Sequence, residues 1–142
     1  MVNMSIGEKI HTKKKDFEKS LINLKKAIDA YKGEPENILY QAALVQYFEI
    51  SSELAWKLLR DILIREGVEN INTPRMVLKE ALKAGFIKNG DLWMQVIDDR
   101  NKSSHIYDEF LAQSIMRNIS DEYEKLFEEL KNFVENYTNG QE

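Results

Sequence analysis

Apolar residues recur at helical spacing through almost the whole sequence, and this periodicity constrains the fold more than any other feature. The clearest stripe lies toward the C-terminus, where Ile115, Ile119, Tyr123, Leu126, Leu130, Phe133 and Tyr137 are separated by 4, 4, 3, 4, 3 and 4 positions. Such gaps return a side chain to one face of an α-helix at every turn. They predict a long helix over about 107–137. A second stripe, from Ile6 and Ile10 through Phe17, Leu21, Leu24 and Ile28 to Tyr31, predicts another over about 5–31. Lysines fill its outer face, and Gly33, Glu34 and Pro35 stop it.

The most apolar segment, about 36–66, lies between these two. Leu44, Phe48, Ala55, Leu58, Leu59 and Ile62 help to cover more than half of its circumference. Gln46, Glu49, Glu53, Lys57 and Arg60 leave one polar stripe along it, and Gly67 ends it. Those charges also keep the segment from reading as a membrane span. Asn72-Thr73-Pro74 marks a further start, with Thr73 as N-cap and Pro74 in the first helical position, for a short helix over 75–84 that stops at Gly85. A second short helix over 91–99 or 91–100 follows Asn89-Gly90.

No segment alternates apolar and polar residues over the length of a strand. Six glycines and two prolines among 142 residues are too few for an all-β chain of tight turns. The expected fold is an all-α, up-and-down antiparallel bundle of four to five helices, because short connections favour antiparallel neighbours. Residues 1–142 read as one domain, with its core over about 5–137 and a frayed tail at 138–142.

Composition narrows the chemistry. The absence of cysteine removes disulfides, thiolate nucleophiles and thiolate zinc sites. Two histidines, His11 and His105, are too few for a histidine-rich metal cage, and no cofactor is expected. A net charge of −4 argues against a broad grip on duplex DNA but leaves room for a local basic patch. Met1 to Ile10 lacks the apolar run of a signal peptide, so a cytoplasmic location is expected.

The densest polar cluster runs from Asp98 to Glu109, at the junction of two helical segments. Arg100 and His105 stand five apart in it, and on one continuous helix they would diverge by roughly 140°. They converge only if the helix breaks between them, where Ser103 and Ser104 are suitable caps, or if a second copy supplies the partner group. Histidine exchanges a proton near neutral pH, and arginine grips phosphate with two parallel donors. The pair suits metal-free phosphodiester cleavage, with His105 acting on the attacking hydroxyl or leaving oxygen and Arg100 stabilising phosphoryl charge. The same residues also read as a plain helix junction with surface ion pairs.

Arg100-Asn101-Lys102-Ser103-Ser104-His105 matches an R-x4–6-H motif, and with Tyr107 it becomes R-x4-H-x-Y. In this the sequence resembles the HEPN superfamily and its HepT-type toxins. Gln46-Tyr47-Phe48-Glu49 with Glu53-Leu54-Ala55-Trp56-Lys57, then Thr73-Pro74-Arg75 and Asp98-Asp99-Arg100-Asn101, resemble the nucleotidyltransferase substrate-binding branch over about 5–137. The resemblance implies a helical homodimer, paired with a minimal nucleotidyltransferase encoded nearby, in which the arginines and histidines of two protomers form a metal-independent ribonuclease site. Arg100 would then hold the scissile phosphate and His105 would be the acid/base. Asn101 and Lys102 would support them, and Tyr107 would be the tyrosine that the partner adenylylates. A non-catalytic subunit that presents substrate to the nucleotidyltransferase is the alternative.

Other groups carry simpler expectations. Asp98, Asp99, Asp108 and Glu109 read as an ion-pair shell around Arg100 and Lys102, with a divalent metal as the alternative. Gln46, Glu49 and Glu53 face a partner, line a cleft, or form a solvated face with a Glu53–Lys57 pair. Trp56 and Trp93 are core or interface anchors. Lys13, Lys14 and Lys15 read as a solvated face, with guidance of RNA as the alternative.

Overall fold

The computed structural model describes residues 3–105 and 109–141, with His105 described in its backbone only. Its helices are α1 (Ile6–Gly33), α2 (Ile38–Arg65), α3 (Pro74–Lys83), α4 (Gly90–Lys102), α5 (Glu109–Asn118) and α6 (Glu124–Asn139). No strand occurs among the described residues. The fold is the all-α bundle that the periodicity predicts.

The helix ends follow local chemistry. The Ser5 hydroxyl accepts from the Glu8 amide at 3.1 Å, Asn37 Oδ1 accepts from Leu39 and Tyr40, and Thr73 Oγ1 accepts from Met76 at 3.2 Å. Each satisfies amides that the first helical turn leaves orphaned. Gly67 and Gly85 stop α2 and α3 with φ of +93° and +77°, where a side chain would be strained. In both, the glycine amide and the next amide bond back into the last turn. Gly67 reaches Ile64 O and Val68 reaches Leu63 O, while Gly85 reaches Leu82 O and Phe86 reaches Ala81 O.

Cross-helix contacts fix the directions. Lys13 pairs with Asp61 and Ser51 donates to Ser20 at 3.0 Å, so α1 and α2 run antiparallel. Lys14 pairs with Glu135 at 2.7 Å and Lys25 with Glu124 at 3.9 Å, so α6 also runs antiparallel to α1. The core closes on aromatic rings. Phe127 meets Phe17 at 6.2 Å, Phe48 at 6.4 Å and Trp93 at 5.8 Å, which ties α1, α2, α4 and α6 together.

Two expectations need correction. The Lys13–Lys15 run is not a plain solvated face, because Lys13 pairs with Asp61, whose side chain is 4% exposed, and Lys14 pairs with Glu135. A buried carboxylate requires a cation beside it, which places Lys13. The C-terminal helix continues beyond Tyr137 to Asn139, and Thr138 Oγ1 sits 2.9 Å from Val134 O.

The long C-terminal helix also holds a feature the periodicity did not separate, a π-helical turn at Ile119–Tyr123. Asn118 and Tyr123 both bond the carboxylate of Asp99, from Asn118 Nδ2 at 3.1 Å and from the Tyr123 hydroxyl. Residues five apart diverge on a regular α-helix, whereas a π turn brings them onto one side.

Candidate functional site

Arg100 lies in the last full turn of α4, its side chain about one-third exposed. Its Nη1 reaches Glu49 Oε2 on α2 at 3.3 Å. Ser103 Oγ lies 2.5 Å from the same Glu49 oxygen and 2.8 Å from Arg100 O. Glu49 thus gathers the arginine and the first residue after the helix. Arg100 Nε is buried without an acceptor.

Helix α4 ends at Lys102, and Ser103–His105 form a 3₁₀ turn. The break falls between Arg100 and His105. Ser103 closes α4 and bonds back to Arg100 O rather than capping the next helix. Asn101 and Lys102 are exposed. Tyr107 and Asp108 lie outside the described residues.

Asp98 and Asp99 do not pair with Arg100 as expected. Asp98 pairs with Arg75 of α3. Asp99 is buried and turns the other way, to Tyr123 and Asn118. Burial and the Asp99 carboxylate push the Tyr123 phenol far above its usual range, so it remains a neutral donor. These contacts anchor opposite sides of the turn that carries Arg100. Among the described residues no cluster of histidine, aspartate and glutamate is placed to hold a metal ion.

Gln46, Glu49 and Glu53 line a cleft of about 600 Å³ between α1 and α2, with Arg100 in its wall. Facing them from α1 are Asp16, Lys19, Ser20 and Asn23, and Tyr47, Ile50 and Leu54 complete the lining. Burial pushes the Glu53 carboxyl up, but the Lys57 ammonium 3.1 Å away, the nearby Trp56 N–H and the Arg100 guanidinium outweigh it and hold it below the usual range. The predicted Glu53–Lys57 pair is therefore present beside the cleft. The α1 wall was missed, although Asp16, Lys19 and Asn23 repeat at helical spacing and could have been read as a polar stripe.

A smaller cavity of about 130 Å³ shares Glu53 and Arg100 with the cleft and is also lined by Trp56 and Asn101. Trp56 Nε1 is buried there beside the Glu53 carboxylate, and Arg60 lies 5.2 Å from the Trp56 ring centroid. Trp93 is fully in the core. A third hollow reaches Glu49 from the other side and is lined by Ile38, Ala42, Val45 and Ala112. Ile38 in its lining and the adjacent Leu39 are each 77% exposed.

An all-α bundle with an arginine held beside a helix break defines the class of protein, and comparison with known proteins narrows it. A family model described as nucleotidyltransferase substrate binding protein like matches residues 12–136. The chain belongs to this family. It is similar to the probable ribonuclease HepT of Haemophilus influenzae, with 30% identity over 84 residues that cover 56% of this chain and 58% of that protein. The match thus spans little more than half of the relative's length. A crystal structure of a Thermus thermophilus protein superposes with a TM-score of 0.74 at 30% identity, covering 83% of this chain and 98% of that one. No helix among the described residues is long and apolar enough to cross a membrane.

Proposed function

We propose that this chain is the HEPN-type partner of a minimal nucleotidyltransferase and the toxin half of a toxin–antitoxin pair. It would act as a metal-independent endoribonuclease across a homodimer and be silenced by adenylylation of Tyr107. The observation that carries this reading is the placement of Arg100. It stands in the wall of an open cleft with one carboxylate partner, at a helix break that His105 closes. A partly exposed ion pair of 3.3 Å is weak, so a phosphate can displace Glu49 from the guanidinium. The relative named a probable ribonuclease lends support.

In the proposed reaction one His105 takes the proton of the ribose 2′-hydroxyl as its oxygen attacks phosphorus. The bond to the 5′-oxygen breaks, and His105 of the second copy returns a proton to that leaving oxygen. Arg100 stabilises charge on the phosphoryl oxygens. Two copies supply separate acid and base groups, and the exposed Ile38 and Leu39, at the start of the helix that carries Glu49, offer apolar surface to a second copy. Purified protein should cleave RNA in EDTA to 2′,3′-cyclic phosphate ends, and His105→Ala should abolish this. Cleavage that survives the substitution refutes the assignment.

A second reading, a non-catalytic subunit that binds substrate for the nucleotidyltransferase, is favoured by one observation. The cleft carries three carboxylates (Asp16, Glu49 and Glu53) against two cations, Lys19 and Arg100. Co-purification with the neighbouring nucleotidyltransferase, without RNA cleavage by the free protein, would establish it.

A further inference from the structure

We infer that the cleft between α1 and α2 is a nucleobase subsite, selecting a base with an exocyclic amino group, guanine above all, next to the phosphate held by Arg100. The inference rests on the ribonuclease reading and adds to it the part of the RNA that the cleft would take. Its volume of about 600 Å³ lies well within the range of small-ligand sites. Tyr47, Ile50 and Leu54 supply an aromatic ring and aliphatic surface against which the flat face of a base packs.

Polar groups around that surface lack partners of the kind a base edge supplies. Glu49 uses Oε2 for Arg100 and Ser103, and Glu53 uses Oε1 for Lys57. The second Glu49 oxygen and the exposed Asp16 carboxylate have no hydrogen bond among the described residues, and Glu53, beside Lys57 and the Trp56 N–H, keeps further lone pairs. Arg100, in the wall of the cleft, has its Nε–H buried without an acceptor. Buried donors without acceptors are rare and costly.

A ligand that suits the cleft therefore offers hydrogen-bond donors to the carboxylates and an acceptor to Arg100 Nε–H. Guanine presents N1–H and N2–H₂ beside O6 on a single edge. Adenine and cytosine present one amino group beside a ring nitrogen. Uracil turns two carbonyl oxygens outward around one N–H, and at least one of them would oppose a carboxylate. Single-stranded bases are read along such edges. The excess of carboxylates keeps phosphate out of the interior and admits a neutral base, leaving the phosphate at the Arg100 guanidinium.

Anisotropy binding of labelled UUGUU, UUAUU, UUCUU and UUUUU oligoribonucleotides to the His105→Ala protein tests this without cleavage. UUGUU should bind about tenfold more tightly than UUUUU, because a site built for hydrogen bonds rejects an analogue that cannot make them. Glu53→Gln should reduce that preference to about threefold or less, and Leu54→Trp, which fills the cleft, should do the same. Affinity for UUUUU should not fall in Glu53→Gln, because the substitution removes a negative charge beside Arg100, and melting temperatures confirm that both variants fold. Equal affinities for the four oligonucleotides, or a guanine preference intact in both variants, overturns the inference. Displacement by spermidine without any base preference overturns it too, by placing a polycation in the cleft. Cleavage of RNA without base preference would sink the subsite and leave the ribonuclease reading standing. Base preference without cleavage would keep the cleft as a base site and remove the ribonuclease.

Discussion

Replacing Tyr123 with phenylalanine isolates the contact that holds the back of the Arg100 turn. The substitution keeps the ring, and with it the stack on Phe48 at 5.4 Å, and removes only the hydroxyl that donates to Asp99. Asp99 is buried and keeps the donor Asn118 Nδ2 at 3.1 Å. Losing a hydrogen bond to a charged group costs about 1.5–3 kcal/mol, so a loss of roughly 2 kcal/mol is expected. For a chain of this size that lowers Tm by about 6–8 °C. Urea unfolding should show the loss in midpoint with the slope unchanged. A change under about 0.5 kcal/mol, within the range of ordinary surface substitutions, would refute the reasoning.

The same variant carries a pH signature with a definite sign. Burial and Asp99 raise the Tyr123 pKa in the folded state above its unfolded value of about 10. The stability that this shift contributes is complete below that unfolded value. Above it the unfolded chain releases a proton that the folded one retains, so stability falls as pH rises, by up to about 1.4 kcal/mol per unit for this group. Wild type should therefore lose its advantage over Tyr123→Phe as pH climbs above about 10. A difference independent of alkaline pH would show that the phenol is not held neutral.

Lys13→Met should cost about 3 kcal/mol by chemical denaturation, because it leaves the buried Asp61 carboxylate with only Arg60 Nε at 3.4 Å, whereas Lys14→Ala, whose partner Glu135 is half exposed, should cost under about 1 kcal/mol. Gly85→Ala should cost about 1–2 kcal/mol in the same assay, entirely through the backbone, since φ is +77° and no atom lies within 4 Å of the added methyl. If the proposed ribonuclease site is the one described, Arg100→Lys should leave Tm nearly unchanged and reduce RNA cleavage by about a hundredfold or more, because a point charge cannot replace the planar fork at phosphate.

What the sequence revealed and what it hid divide by the range of the interactions. Thr73-Pro74, Gly67 and Gly85 act on neighbours one turn away, and each set its helix end where local chemistry required. The apolar stripes were legible because a helix repeats every few residues whatever it packs against. Even the π turn left a trace, since two successive gaps of four, from Ile115 to Ile119 to Tyr123, drift by about 80° on a regular helix. Polar partnerships were not legible in this way. Asp98 and Asp99 flank Arg100 in sequence, but successive helical residues point about 100° apart, so one meets α3 and the other the π turn. Arg100 instead meets Glu49, 51 residues earlier, because α2 packs against α4 at that level. Counting nearby charges therefore named Asp98 and Asp99 as partners of Arg100, and packing supplied Glu49 instead. The residues of the motif are visible through local spacing, whereas those that hold Arg100 in place are set by packing, which no stretch of a few residues encodes. For this reason the α1 wall of the cleft, with Asp16 and Lys19, should determine what the site accepts without belonging to any motif that contains Arg100 and His105.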